Sequence, residues 1–277
     1  MIKYEINPGF NCLKNFILSM HELFPDFETT LQNSRNHVKV TEHNGIKLCI
    51  KSFGNTNPIN RIVYSFLRAS KAERSYNYAL KLLHKNIKTP EPVAFIEYFD
   101  KNRVLSSSYY ISIYQEHDFL LTDIFDFELS DRLDVLASFA RYACNNLHDN
   151  GIFHKDLSSG NILIKNRADG QYDFYLIDLN RIRFRKRLSF RQRMSNLKRI
   201  NGTIICLGTI AHFYALEHRG NSVYGALKLG LERLAWLKHK RRKKKFKKLT
   251  STLAGLFTKQ ELNEITVSAD GIYHGRK

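Results

Sequence analysis

The sequence predicts an α+β chain of two lobes: a small, sheet-rich lobe over residues 1–114 and a larger, mainly helical lobe over residues 115–277. Three observations predict it. His37-Val38-Lys39-Val40 alternates apolar and polar residues, Asn44-Gly45 marks a tight type I′ turn, and Ile46 to Phe53 returns as a second strand. Beyond residue 128 the apolar residues recur instead at helical spacing: Leu133, Leu136, Ala137, Ala140, Ala143, Cys144 and Leu147. Between that helix and later ones lies a second apolar hairpin, Ile162–Ile164 and Tyr172–Ile177, turning at Asp169-Gly170.

In chain order, Cys12 to Phe24 has helical spacing and stops before Pro25, and Asn33-Ser34-Arg35-Asn36 is a polar turn ahead of the first hairpin. Asn60 to Lys85 reads as one long helix, with Glu73 on the same stripe as Tyr76, Leu80 and Leu83. Pro90 and Pro92 end that unit. Two strands follow, Val93–Phe99 and Ser108–Tyr114, around the turn Asp100-Lys101-Asn102, and Gln115-Glu116-His117-Asp118 breaks the apolar run. Leu129 to His148 is a buried helix feeding the second hairpin, while Thr203–Leu216 and Ser222–Leu237 read as further helices. The last 29 residues read as a short closing helix and a loose tail.

The stretch Ile152 to Arg181 carries the chemistry. Asp156 follows His154-Lys155, Asn161 comes five residues later, and the second strand of the hairpin ends on Asp178. Phosphoryl transfer from ATP needs such a trio: one carboxylate to accept or orient the proton of the attacking hydroxyl, and an amide oxygen with a second carboxylate to hold Mg²⁺ on the phosphates. Turn-shaping explains any one of these residues, but not all three at this spacing between two apolar strands. The pattern His-x-Asp-Leu-x-x-x-Asn followed by Ile-Asp-Leu fits the catalytic and metal loops of kinases. On that reading Lys51, closing the strand Leu48-Cys49-Ile50-Lys51, is placed to contact nucleotide phosphates, and Glu73 is its expected ion-pair partner. Ser34 and Arg35 stand where a phosphate-covering loop belongs, although no G-x-G-x-x-G is present. The backbone of Gln115, Glu116 and His117 stands where an inter-lobe hinge would hold adenine.

An apolar share of 43% and an aromatic share of 12% indicate a folded chain. Lys and Arg number 44 against 26 Asp and Glu, a net +18 that calls for an anionic partner. Arg181, Arg183 and the basic residues after them run to Asn201 without an acid, and residues 238–248, KHKRRKKKFKK, carry nine Lys or Arg with one Phe. Nucleic acid and an anionic membrane surface would both attract such a patch. The four cysteines form no C-x-x-C pair and sit in apolar neighbourhoods, as buried reduced thiols do. The N-terminus lacks the pattern of a signal peptide, and no run approaches the roughly 20 apolar residues of a membrane span.

The order of these motifs resembles the lipopolysaccharide core kinases, the Kdo and heptose kinases of Gram-negative bacteria, which share the protein-kinase-like fold. The resemblance runs from about residue 30 to 200. It is carried by SRN at 34–36, LCIKSF at 48–53, SKAERSYNYALKLL at 70–83, TPEPVAFIEY at 89–98, HKDLSSGNILI at 154–164 and FYLIDLNRIRF at 174–184. It implies ATP and Mg²⁺ as cofactors, Asp156 as the acid–base position, Asn161 and Asp178 as metal ligands, and Lys51 with Glu73 positioning the nucleotide. Asn77, one turn on, is an alternative to Glu73. It further implies an acidic glycolipid acceptor, with Arg181 and Arg183 as candidates to hold it. The enzyme would be cytoplasmic, peripheral on the inner face of the inner membrane, with no specific nucleic acid expected. The chain lacks the A-P-E motif, an activation segment and the Arg of H-R-D, which argues against a regulated protein kinase. A protein Ser/Thr kinase, an antibiotic-type kinase, and an idle kinase-fold module that binds membrane or nucleic acid are the alternatives.

Overall fold

A computed structural model of the chain describes residues 1–33, 36–54, 64–65, 68–126 and 128–270. It divides into two compact units, Met1–Leu229 and Gly230–Lys277. The first unit opens with β1 (Ile2–Ile6), two short helices α1 (Lys14–Leu18) and α2 (Met20–Leu23), then β2 (Thr29–Asn33), β3 (His37–His43) and β4 (Ile46–Ser52). Helix α3 (Lys71–His84) and strands β5 (Pro92–Phe99) and β6 (Leu105–Ile113) complete a six-stranded antiparallel sheet of order β1-β5-β6-β4-β3-β2.

The β3–β4 hairpin is the one expected. Asn44 and Gly45 both take positive φ, 53° and 73°, which a type I′ turn requires and which Asn and Gly tolerate best. The period-2 alternation of β4 then sorts its side chains. Leu48 and Ile50 are fully buried with Leu13, Ile17 and Met20 of the N-terminal segment on one side of the sheet. Phe53, Phe95 and Tyr110 join α3's Tyr76, Ala79 and Leu82 in the other cluster. Lys51 lies opposite Tyr110 in the β4–β6 register, so it shares that second face.

Three local expectations are corrected. The N-terminal segment is two short helices flanked by 3-10 turns, not a single helix. Strands β1 and β2, at opposite edges of the sheet, were not anticipated. Helix α3 starts at Lys71, because Ser70 caps it by accepting the Glu73 N–H at 3.1 Å; residues 60–63 and 66–67 of the expected longer helix lie outside the described residues.

The chain then runs through Gln115–Asp118 without regular structure into β7 (Phe119–Leu120) and α4 (Leu129–Tyr142), which continues as a π-helical turn, Ala143–His148. Strand β8 (Ile152–His154) precedes β9 (Ile162–Asn166) and β10 (Tyr172–Leu176), the expected hairpin, which forms a three-stranded sheet with β7. Strand β11 (Ile182–Phe184) turns back to pair with β8, Ile182 opposite His154. Gly151 makes this return possible: its φ is +71°, and a Cβ there would lie 1.8 Å from the Arg185 carbonyl oxygen. Helices α5 (Phe190–Leu197), α6 (Ile204–Glu217) and α7 (Ser222–Asp270) follow. Helix α7 is unbroken where a basic stretch and a separate closing helix were expected, since Lys, Arg and Leu all favour helix and no proline interrupts them. Of the cysteines, Cys144 and Cys206 are buried as expected and all four are free, but Cys12 is exposed. Among the described residues no helix is long and apolar enough to cross a membrane.

Candidate active site

The site forms where α3 packs against the turn Leu179–Arg181 and where the β8–β11 pair brings the two expected loops together. His154, at the end of β8, is fully buried and ties them. Its Nδ1 accepts the Asp156 N–H at 3.1 Å, so the ring proton sits on Nε2, which donates to the Ile177 carbonyl at 3.1 Å. Burial holds this imidazole below its ordinary pKa, and it is neutral at pH 7. One histidine therefore sets the separation of the Asp156 loop and the Asp178 loop. Asn161 adds a second tie: its N–H bonds the Ser158 carbonyl at 2.9 Å, and its own carbonyl accepts the Ile177 N–H at 3.1 Å.

Asp178 occupies the left-handed region, φ 58° and ψ 48°, which costs a non-glycine residue about 1–3 kcal/mol and is kept only where the surroundings over-determine it. They do so here. Lys51 Nζ lies 2.8 Å from Asp178 Oδ1 and Asn180 Nδ2 lies 2.6 Å from the same oxygen. Burial raises the Asp178 carboxyl, but the charge and hydrogen bond of Lys51, with smaller contributions from His154 and Arg181, together hold the group below the usual carboxylate range. With both donors on Oδ1, Oδ2 is the oxygen left to offer a cation. At Asn161, Nδ2 is committed to the Asp156 carbonyl at 2.9 Å, so the amide oxygen plays the same part. Two hard oxygen donors of this kind fit Mg²⁺, which takes few protein ligands and fills its shell from phosphates and water.

Lys51 does not take the partner expected for it. Glu73 pairs instead with Lys3 of β1 at 2.7 Å. The cause is the early start of α3: capping at Ser70 puts Glu73 in the first turn, where Lys3 lies. Lys3 also lies 3.9 Å from the buried Glu97 of β5. Ser34 and Arg35 lie outside the described residues. In the hinge segment, Gln115 Nε2 donates to the Glu116 carbonyl at 2.8 Å and His117 Nδ1 lies 3.0 Å from the Gln115 carbonyl, so local side chains already meet those two backbone oxygens.

Asp156 carries two guanidiniums. Arg181 Nη1 lies 3.2 Å from Oδ2, and Arg199 Nη1 bonds Oδ1. Arg183, on β11, is exposed. Sequence reasoning did not single out Arg199, which reaches Asp156 from 43 residues away. It also missed a buried relay beneath the catalytic loop. Arg193 Nη1 donates to Asp149 Oδ1 at 2.6 Å and to the Tyr214 hydroxyl at 3.3 Å. Tyr214 lies 2.7 Å from His148 Nδ1, His148 Nε2 lies 3.1 Å from Asn196 Oδ1, and Asn196 Nδ2 donates to the His154 carbonyl at 2.6 Å.

Residues 132–211, which include His154, Asp156, Asn161, Asp178, Arg181 and Arg199 but not Lys51 or Tyr214, match the family model described as Lipopolysaccharide kinase (Kdo/WaaP) family. No curated protein sequence matches the chain. The solved structure titled "WaaP in complex with acyl carrier protein" superposes with a TM-score of 0.54 at 17% identity, over 87% of this chain and 98% of that one, a likeness that concerns the fold. The MAP kinase LmaMPK10 from Leishmania major aligns over 78% of this chain and 65% of its own at 16% identity, with a TM-score of 0.39. The chain has a protein-kinase-like α+β fold and, over residues 132–211, the pattern of the lipopolysaccharide kinase (Kdo/WaaP) family: it is a kinase, a phosphotransferase with an alcohol group as acceptor.

Proposed function

We propose that this kinase transfers the γ-phosphoryl group of ATP to a hydroxyl of Kdo or another inner-core sugar on a lipid A-linked glycolipid. The observation that carries the reading is the convergence on His154 and Asp178: one buried imidazole spans the two loops while Lys51 reaches across from the sheet to the second. In this reading the part up to residue 114 covers the nucleotide, and the backbone of Gln115, Glu116 and His117 faces adenine. Lys51 meets the phosphates, and Asp178 with Asn161 holds Mg²⁺, which supplies charge neutralisation to the phosphates when bound. Glu73 then acts at one remove, anchoring α3 to β1 through Lys3. Asp156 orients the sugar hydroxyl and takes its proton, while Arg181 and Arg183 face the acidic acceptor. Catalysis on this account is mostly positioning and electrostatics. The enzyme works at the cytoplasmic leaflet, held there by the basic run of α7.

The test is transfer from ATP in Mg²⁺ to a purified Kdo-bearing lipid A glycolipid, read by mass spectrometry, together with the lipid A–core of a deletion strain. Gain of one phosphate in the first and its loss in the second are expected. A deletion strain with unchanged core phosphorylation would refute the reading.

A further inference from the structure

The arginines on Asp156 come from two separate places, Arg181 from the turn after Asp178 and Arg199 from just beyond α5. Each engages a different oxygen of the same carboxylate, so an acceptor hydroxyl approaching either oxygen has to share it with a guanidinium. Arg181 is 52% exposed and Arg199 32%, so a ligand can reach both. More positive charge stands around them. The exposed Lys155 has its ammonium pKa lowered by desolvation and then by Arg183, Arg181 and Arg68, so each of these cations acts on Lys155. Asp178, which Arg181 also influences, is paired with Lys51, so positive charge around Asp156 still exceeds its one carboxylate and suits a further anion. Guanidinium forks are also shaped for carboxylate and phosphate, which they bind most strongly through two parallel hydrogen bonds.

We propose that Arg181 and Arg199 form an exchangeable clamp: they hold the Asp156 carboxylate while the acceptor site is empty and transfer to a carboxylate or phosphate of the acceptor when it docks. Asp156 is thereby uncovered only beside an anionic acceptor. The inference rests on Asp156 as the group that orients the acceptor hydroxyl. It goes further in making the acceptor's own charge the trigger, with Arg199 as a specificity-determining residue. Such a clamp would also limit transfer of the phosphoryl group to water while no acceptor is bound.

The experiment has two arms on the full chain, with Arg181→Gln, Arg199→Gln and the double variant, and Arg→Lys counterparts that keep the charge without the fork. The first arm needs no acceptor. Water in place of the sugar hydroxyl takes the γ-phosphoryl group, ADP leaves, and the proton passes through Asp156 to solvent. The clamp predicts that acceptor-free ATP hydrolysis rises severalfold in the double variant and that adding Asp156→Asn abolishes the rise. Hydrolysis that stays level or falls would overturn it, a fall meaning that the arginines serve the transferred phosphate instead. In the second arm the acceptor is the Kdo-bearing lipid A glycolipid, native, methyl-esterified at its sugar carboxylate, or stripped of its lipid A phosphates. The wild type's KM should rise about tenfold to a hundredfold for whichever form lacks the recognised anion, with kcat nearly kept. The double variant should show the high KM on every form. A dependence on acceptor charge that survives in the double variant would sink the clamp. If the wild type phosphorylates none of these glycolipids, the proposed acceptor is wrong, and the hydrolysis arm still decides the clamp.

Discussion

Asp178 shows how much one residue can be asked to do. Its left-handed backbone stands beside Lys51 and Asn180, which share one of its oxygens, and the Lys51 ammonium is the main group that lowers its pKa against burial. Replacing Lys51 by Met leaves the strand's apolar packing untouched, because Leu48 and Ile50 carry it. It strips Asp178 of its cation, so phosphoryl transfer should collapse while far-ultraviolet circular dichroism stays native. A folded-state collapse on heating well below the wild-type midpoint would mean that the lysine is structural first. Asp156→Asn tests the other loop. It keeps the shape and the backbone contacts to His154, so nucleotide affinity should hold while turnover on the acceptor falls by roughly two to four orders of magnitude. Turnover close to wild type would remove Asp156 from the chemistry. The two variants separate nucleotide positioning from acceptor activation.

At the scale of elements, the relay from Asp149 through Arg193, Tyr214, His148 and Asn196 to the His154 carbonyl couples the helical layer to the catalytic loop. Each hydrogen bond has a donor and an acceptor in a consistent direction, as a buried polar network needs. Asn196→Ala leaves the His154 carbonyl and His148 unsatisfied, a cost of about 1–3 kcal/mol, and should lower turnover through loop misplacement without altering any group that touches substrate. His148 adds a pH signature. Burial pushes it down to about 4, from an ordinary value of 6.5. Above pH 6.5 both folded and unfolded chains carry it neutral. Below that the unfolded chain takes up a proton that the folded one refuses, so stability falls by about 1.4 kcal/mol per pH unit until the folded imidazole also protonates near pH 4. Urea midpoints measured from pH 7 to 4 should decline less steeply in His148→Gln than in the wild type; parallel curves would show that His148 is not buried neutral. None of this relay was legible in the sequence, because its linked members lie 21 to 66 residues apart and leave no local pattern. The hairpins were legible, because Asn44-Gly45 and Asp169-Gly170 encode their turns directly. The first turn of α3 was legible but unread: Ser70-x-x-Glu73 is the signature of a helix start, and heeding it would have moved Glu73 away from Lys51. Strand β1 gave no such cue. Its residues stay mostly exposed at the sheet edge, and only pairing with β5 defines it.

For the whole molecule the governing quantity is the net charge of +18, concentrated after Asp178 and along the middle of α7. Lys238 to Phe246 is exposed at every position, and Phe246 is itself 68% exposed among the cations. A basic helix carrying an exposed aromatic suits the surface of an anionic bilayer, where each Lys or Arg contributes about 1 kcal/mol and the ring adds a shallow apolar contact. The alternative partner, nucleic acid, would be attracted by the same charge, but weakly, with a steep salt dependence and no preference of sequence. Replacing Lys243, Lys244 and Lys245 by Gln separates recruitment from catalysis, since these residues belong to the second compact unit and the site belongs to the first. Sedimentation with anionic vesicles in moderate salt should be lost in the triple variant, while turnover on a detergent-dispersed acceptor falls much less. Neutral vesicles should bind neither protein. Vesicle binding that survives the substitutions would assign recruitment to another surface, and tight, sequence-selective nucleic-acid binding by the wild type would give the basic helix a different purpose.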